Sequence, residues 1–334
     1  MNILSKQFLI ETTHTPVEAY EAYYINNGTM TLLGDVTDLS KTFAPQDEFI
    51  YTNLFVYEGD IYQNGTKLTS NGYWKLLTGR TINSSYYAYM GRPNNTHLYL
   101  FGLNLATQQI TGHTWLKVCG YASASSSGTY SAFAEATDGL YYVKQTETQI
   151  STLTNWTKIC GYGDTSSANY YGYGINDGKL YYLYANGNGV VQQGTDTTWT
   201  DITGSREGSS WNGYGINDGK LYKLSGTPTQ VGSATNWTKI SGTSSSSAHC
   251  LGIAGGKLYR VSGTTATQVG SATDWVNCSG FTMSSTYGLA YDGSALWSIS
   301  NSGGRTKLMD GEWIYCGGNY SSNGYAVAIR RVYR

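Results

Sequence analysis

WTKISGTSSSSAHCLGIAGGKLYRVSGTTATQVGSATD, residues 237–274, contains four short apolar runs of strand length. WTKISG is the first and HCLGIA the second. KLYRVSG follows the pair Gly255-Gly256, and TATQVG is the fourth. Gly, Ser, Asn or Asp bounds each run, which is the mark of antiparallel strands joined by turns. The opening phrase recurs as WKLLTG from Trp74, WLKVCG from Trp115, WTKICG from Trp156, WTDITG from Trp199, WVNCSG from Trp275 and WIYCGG from Trp313. Successive Trp residues are 41, 41, 43, 38, 38 and 38 residues apart. Such a period describes supersecondary units that are each too small to bury a core alone.

In a regular strand, a Trp and the residue three places on face opposite sides. Both positions are apolar in Trp156 with Ile159, Trp199 with Ile202, and Trp237 with Ile240. The first strand is therefore expected to be buried on both faces, each sheet lying between two others. Four-stranded antiparallel sheets stacked in this way predict an all-β fold, a single β-propeller with the Trp between blades.

An eighth, degenerate unit precedes Trp74. Thr37-Asp38-Leu39-Ser40-Lys41 aligns with Thr154-Asn155-Trp156-Thr157-Lys158, Leu39 standing in the Trp place, and NLFVY, EGDIYQNG and TKLTS follow. The unit from Trp313 lacks a fourth strand, and residues 29–34 offer one. Eight blades are expected, with seven as the alternative, in a ring closed by an N-terminal strand that removes the exposed edges. The propeller spans 29–334, and residues 1–28 read as a separate attachment segment or, as the alternative, as an extra strand pair packed on the ring.

The second turn of the unit is Asp138-Gly139, Asp177-Gly178, Asp218-Gly219 or Asp292-Gly293. Asp-Gly and Gly-Gly suit two-residue hairpin loops in which both residues take positive φ. These Asp residues are thus read as turn formers. Four of the five cysteines, Cys119, Cys160, Cys278 and Cys316, fall three or four residues after a Trp. That regularity suggests small buried hydrophobes, and without a CxxC pair zinc is not expected.

Charged residues make up 13% of the chain and the net charge is −1. No basic stripe advertises nucleic acid, no apolar run is long enough for membrane insertion, and the N-terminus does not read as a secretion signal. His14, His97, His113 and His249 share no repeat position, and Glu135, Glu147, Glu207 and Glu312 are scattered among units. No nucleophile, zincin or phosphate-loop phrase appears. The chain reads as no enzyme, with no cofactor and no metal.

Binding is better supported. The segments between first and second strands are long and variable: RTINSSYY (80–87), YASASSSGTYS (121–131), YGDTSSANYYGY (162–173), SREGSSWNGY (205–214), TSSSSAH (243–249), FTMSSTY (281–287) and NYSSNGY (319–325). The Asp-Gly turns, on the opposite rim, barely vary. One fixed rim and one diversified rim is how rigid folds carry binding loops. The candidate contact residues are Tyr86, Tyr87, Tyr130, Tyr170, Tyr171, Arg206, Trp211, Tyr287 and Tyr320. Aromatic rings there can stack on sugars or peptides; in the alternative, several of these Tyr are second-strand residues pointing between blades.

The phrase W-x-x-I-x-G, followed by G-x-G-I-x-D-G-K-L-Y as in Asn176-Asp177-Gly178-Lys179-Leu180-Tyr181, resembles tectonin-type and RCC1-like propeller repeats. It lacks the GQLG phrase of RCC1 repeats. The tectonin resemblance implies glycan binding. The Gly-, Ser-, Asn- and Tyr-rich composition also resembles bacteriophage tail-fibre and other virion proteins. Together these imply a virion protein assembled in the bacterial cytoplasm. It would dock to other virion proteins through residues 1–28 and meet a host-surface glycan or protein with its variable rim. The alternatives are a cytosolic tectonin-like lectin or interaction scaffold and, third, a carbohydrate-active enzyme.

Overall fold

The computed structural model describes residues 16–26, 28–44, 54–63, 65–69, 74, 76–82, 85–91, 97–101, 108–122, 130–144, 146–163, 170–185, 189–207, 210–242, 249–279, 287–300, 302–319 and 325–334. Among them are eight antiparallel sheets, seven of four strands and one of three. The chain is an eight-bladed β-propeller. Strands within a blade are lettered a to d from the ring axis outward. Blade 4, for example, runs through Trp156–Gly163, Tyr170–Asn176, Lys179–Tyr184 and Gly189–Gln192. Blades 2 to 7 begin near Trp74, Trp115, Trp156, Trp199, Trp237 and Trp275.

Each Trp packs between its own blade and the preceding one. Trp156 shares a cluster with Cys119, Phe133 and Leu140 of blade 3, and Trp237 with Tyr214, Ile216 and Leu221 of blade 5. A ring from strand c of the same blade meets the indole, as in Trp156–Tyr181 (5.3 Å between centroids) and Trp115–Tyr141 (5.5 Å). Such aromatic pairs add about 0.5–1.5 kcal/mol beyond area burial. Room for the indole comes from strand b. A Cβ on Gly174, Gly215 or Gly252 would lie 2.5, 2.6 or 2.7 Å from the Trp of its own blade.

The expected opposition of Trp and the residue three on is corrected. Trp156 and Ile159 lie in one cluster, as do Trp199 with Ile202 and Trp237 with Ile240. The cause is a β-bulge in strand a of blades 3 to 8, where the register slips between the Trp and the residue two on. The extra residue shifts the alternation by one place. The strand remains buried on both faces, because the residue four after the Trp turns to the next blade. Cys119 thus packs with Trp156 and Cys160 with Trp199, whereas Cys278 and Cys316 face back with their own Trp. All five cysteines are buried.

Blade 8 closes the ring in the order Thr29–Asp35, Glu18–Asn26, Tyr325–Tyr333, Glu312–Asn319. Strand d is the expected one. Strand c, Glu18–Asn26, corrects the domain boundary: these residues belong to the ring and not to an attachment segment. Tyr23 meets Trp313 at 5.5 Å, as the strand-c tyrosines of other blades meet their Trp. Charge reinforces the seam. Arg330 pairs with Glu21 at 2.7 Å, and Arg334 with Glu21 and Asp35 at 3.0 and 2.6 Å. The Arg330 guanidinium holds the Glu21 carboxyl below its ordinary range.

Blade 1 departs from the repeat. Its three strands are Leu54–Tyr57, Asp60–Gln63 and Thr66–Lys67, and in place of strand a are a short 3-10 turn, Leu39–Lys41, and a bridge from Phe43 to Val56. Leu39 does not take the Trp role; it is 43% exposed. Stacked rings of Tyr24, Phe55 and Tyr62 fill the 8–1 interface instead.

The strand b–c turns keep positive φ at Asp177 (50°) and Gly178 (68°), Asp218 (48°) and Gly219 (68°), and Gly255 (53°) and Gly256 (73°). Two differ from expectation. Ala136 pairs with Gly139, which puts Thr137 and Asp138 at the tip. Asp292 instead accepts from the backbone of Ser294 and Ala295, at 2.8 and 2.7 Å, and from the Trp297 indole at 2.7 Å. Burial works against its charge, but these bonds leave the carboxyl below its ordinary range.

Several tyrosines hydrogen-bond across blade boundaries. Tyr182 donates to Gly226 at 2.6 Å, Tyr214 to Gly263 at 2.9 Å and Tyr291 to Ile314 at 2.7 Å. Burial pushes Tyr182 and Tyr291 up to about 12 and Tyr214 higher still.

Two outcomes are expected. Deleting residues 1–28 removes strand c of blade 8, so size-exclusion chromatography with light scattering should show association through the exposed edge. An unchanged monomer with unchanged melting would refute this closure. Unfolded tyrosines ionise near pH 10, below these folded ones. For Tyr182 and Tyr291 this stabilisation is therefore complete below pH 10 and lost as pH rises from about 10 to about 12, at about 2–3 kcal/mol per tyrosine. Urea midpoints across that window should fall, and less steeply in Tyr182→Phe.

Candidate functional site

Two parts of the ring can meet a ligand: the rim carrying the strand a–b connections, and the axis. On the rim, the backbone places Tyr86 and Tyr87 in Ser85–Gly91, Tyr130 at the start of Tyr130–Ala136, and Tyr170 and Tyr171 at the start of Tyr170–Asn176. Arg206 lies in Trp199–Glu207, directly across from Trp211 in Ser210–Asn217, and Tyr287 opens Tyr287–Asp292. These residues come from blades 2, 3, 4, 5 and 7, and all sit at the a–b end of their strands. Register supports this: Tyr130 pairs with Ala122 and Tyr170 with Gly163, the last residues of their strands a. They are strand residues. Their side chains lie outside the described residues, and Tyr320 does so altogether.

The axis holds a cavity of about 860 Å³. Its walls come from strand a or its counterpart in blades 1 to 6 and 8, and so it lies on the ring axis. Trp156 pairs with Asn176, which leads into the Asp177-Gly178 turn, so the start of strand a belongs to the Asp-Gly rim. The cavity is therefore at the rim opposite the tyrosines. Two features of strand a build it, and both follow from the bulge. The bulged residue, one after the Trp, is turned out at the mouth: Thr157, Thr200 and Thr238 are exposed, as are Leu116 and Val276. The next residue lines the cavity in blades 3 to 6 and 8. This position is Lys117, Lys158, Asp201, Lys239, Asn277 and Tyr315 in blades 3 to 8.

These side chains form an inner belt. Lys117 Nζ lies 2.6 Å from Oε2 of Glu135, whose other oxygen accepts the backbone N–H of Trp156 at 2.9 Å. Elsewhere the Trp N–H meets a turn-glycine carbonyl of the preceding blade, as in Trp199 to Gly178 and Trp237 to Gly219, each at 2.9 Å. Glu135, fully buried, replaces that carbonyl between blades 3 and 4. Lys158 Nζ lies 2.6 Å from Asp201 Oδ1, which also accepts from the N–H of Ile202 at 3.0 Å. Asp201 Oδ2 accepts from the N–H of Ile240 at 3.1 Å. One carboxylate thus joins blades 4, 5 and 6. Asn277 accepts from Cys278 N–H in the same way, at 2.8 Å. A bulge leaves an amide without a ladder partner, and these side chains supply one.

In sequence the place two after the Trp holds no constant residue type. The signal was a polar or charged residue recurring beside an aromatic core position, K-K-D-K-N in five successive units. Only the bulge shows that it points inward. Two acidic residues set aside in the sequence reading also find partners. His113 Nδ1 lies 2.9 Å from Asp138, which accepts from Tyr141 Oη at 2.9 Å; Asp138 is a rim turn residue tied to its own blade. Glu312 pairs with Arg331 at the seam, at 2.6 Å.

No protein-family model and no curated protein matches the sequence. Similar solved structures include PorZ, an essential bacterial surface component of the type-IX secretion system of Porphyromonas gingivalis, at 12% identity and TM-score 0.49, over 80% of this chain and 38% of that one. Apo AztD from Citrobacter koseri is similar at 10% identity and TM-score 0.47, over 95% and 99% of the two chains. Virginiamycin B lyase from Staphylococcus aureus is similar at 8% identity and TM-score 0.44, over 93% and 99%. Similarity at these levels bears on neither the ligand nor the activity of this chain.

Glu135→Ala should cost about 1–3 kcal/mol, because it leaves the buried Trp156 amide without an acceptor, while Lys117, 40% exposed, turns to water. Glu135→Gln keeps an acceptor and should cost less. Equal urea stabilities for the two variants would contradict the role given to this carboxylate.

Proposed function

We propose that this chain is a non-enzymatic binding propeller of a virion, of the tail-fibre or receptor-binding kind. In this reading its a–b rim contacts a host-surface glycan or protein. The observation that carries it is the placement of Tyr86, Tyr130, Tyr170, Trp211 and Tyr287 at one end of five blades. The other end repeats tight two-residue turns. A ring of aromatic positions among Ser, Asn and Gly is the chemistry of adaptable paratopes, in which rigid rings supply area and small polar residues supply hydrogen bonds.

The non-enzymatic part draws on the inner belt. Glu135 and Asp201, the buried carboxylates nearest the axis, are taken up by lysines and backbone amides. They hold blades together and are committed before any substrate arrives. Residues ahead of Glu18 are the proposed docking element to other virion proteins.

Single Tyr130→Ala, Tyr170→Ala and Trp211→Ala variants should each weaken retention on host cells or on a glycan array by roughly tenfold, as truncation of an interface anchor does. Their melting should stay near that of the parent. The protein should also co-purify with particles at fixed stoichiometry. Rim variants that bind like the parent would remove the contact surface from this reading. Glycan binding without particle association would favour a cytosolic lectin.

A further inference from the structure

The axial cavity has a charge pattern that the interblade role does not use up. Lys117 and Lys158 each have a carboxylate at 2.6 Å. Lys239, at the equivalent place in blade 6, lines the same cavity and makes no ion pair or side-chain hydrogen bond among the described residues. Asp201, on the neighbouring strand, makes no ion pair with it among the described residues. Its two oxygens already take Lys158 and the amides of Ile202 and Ile240. Three ammonium groups and two carboxylates leave one positive charge inside a partly enclosed space. A half-buried ammonium with no counter-charge favours an anion.

The rest of the wall narrows the anion. Thr157, Thr200 and Thr238, the bulge residues of three successive blades, line the mouth beside the lysines, and the Thr238 hydroxyl also donates to the Ile253 carbonyl at 3.4 Å. Ile159, Val118 and Ile314 provide apolar surface beside them. A volume of about 860 Å³ falls among small-molecule sites, which run roughly 300–1,000 Å³.

We propose that this cavity binds a singly charged, hydroxylated carboxylate of monosaccharide size, the class of the uronic and sialic acids. The carboxylate meets Lys239, the hydroxyls meet the threonine collar, and the C–H face of the ring lies on the isoleucine and valine wall. A single uncompensated charge matches a carboxylate better than a phosphate dianion. The site is on the rim opposite the proposed receptor contacts and does not depend on them.

Calorimetric titration of the full chain with glucuronate, galacturonate and N-acetylneuraminate, with glucose, galactose and inorganic phosphate as comparisons, tests the assignment. At least one acidic sugar should bind, its neutral counterpart should bind at least about tenfold more weakly, and affinity should fall as salt rises. Lys239→Met should weaken binding by about tenfold or more, while Lys239→Arg retains most of it. Lys307→Met, in the outer strand Arg305–Asp310 of blade 7 and part of neither site, should leave it unchanged. The proposal is overturned if no acidic sugar binds, if neutral sugars or phosphate bind as well, or if Lys239→Met binds like the parent. The salt dependence is read on the parent protein, so a poorly folded variant does not shield the proposal: affinity indifferent to salt overturns it too.

Discussion

The indole that starts each inner strand sits between two sheets, and the other regularities of the ring follow from seating it. It needs a ring from strand c on one side, which is why the K-L-Y tyrosine recurs. It needs an empty place on strand b, met by Gly174, Gly215 and Gly252 opposite Ile159, Ile202 and Ile240. Where the residue three after the Trp is Cys278 or Cys316, the strand-b partner becomes Ala290 or Ala328. Small opposite large is kept, as close packing requires.

The bulge beside the indole gives the same strand a second task. It turns the Trp and the residue three on toward the preceding blade, and sends the residue two on toward the axis or the next blade. The amides that lose their ladder partners are met by Asp201 and Asn277, and Glu135 takes the Trp156 amide in place of a turn carbonyl. A buried ion pair adds little net stability, but removing one partner is costly. The belt is therefore best understood as fixing the registration of neighbouring blades around the axis.

Closure uses different means where the repeat is weakest. Blade 8 joins strands from both ends of the sequence and ties them with Arg330, Arg331 and Arg334 against Glu18, Glu21, Glu312 and Asp35. Blade 1 has no Trp, and stacked rings stand in for it. The ring thus leaves two unlike rims: tight turns around a cationic cavity at one, aromatic strand ends at the other.

Period, blade number and the interblade place of the Trp were legible in the sequence, because each rests on local pattern: seven copies of a phrase, strand-length runs and turn residues. So was the outer strand of the closing blade. Tertiary structure alone decided the rest. Glu18–Asn26 carries no Trp phrase, and only pairing with Tyr325–Tyr333, some 300 positions away, makes it a strand of the ring. The direction of Lys117, Lys158, Asp201 and Lys239 depends on one extra residue in a ladder, which a period-two reading cannot see. Composition singled out one rim as the candidate binding surface. The axial cavity exists only because seven separate segments converge on one line, and no local stretch of chain records that convergence.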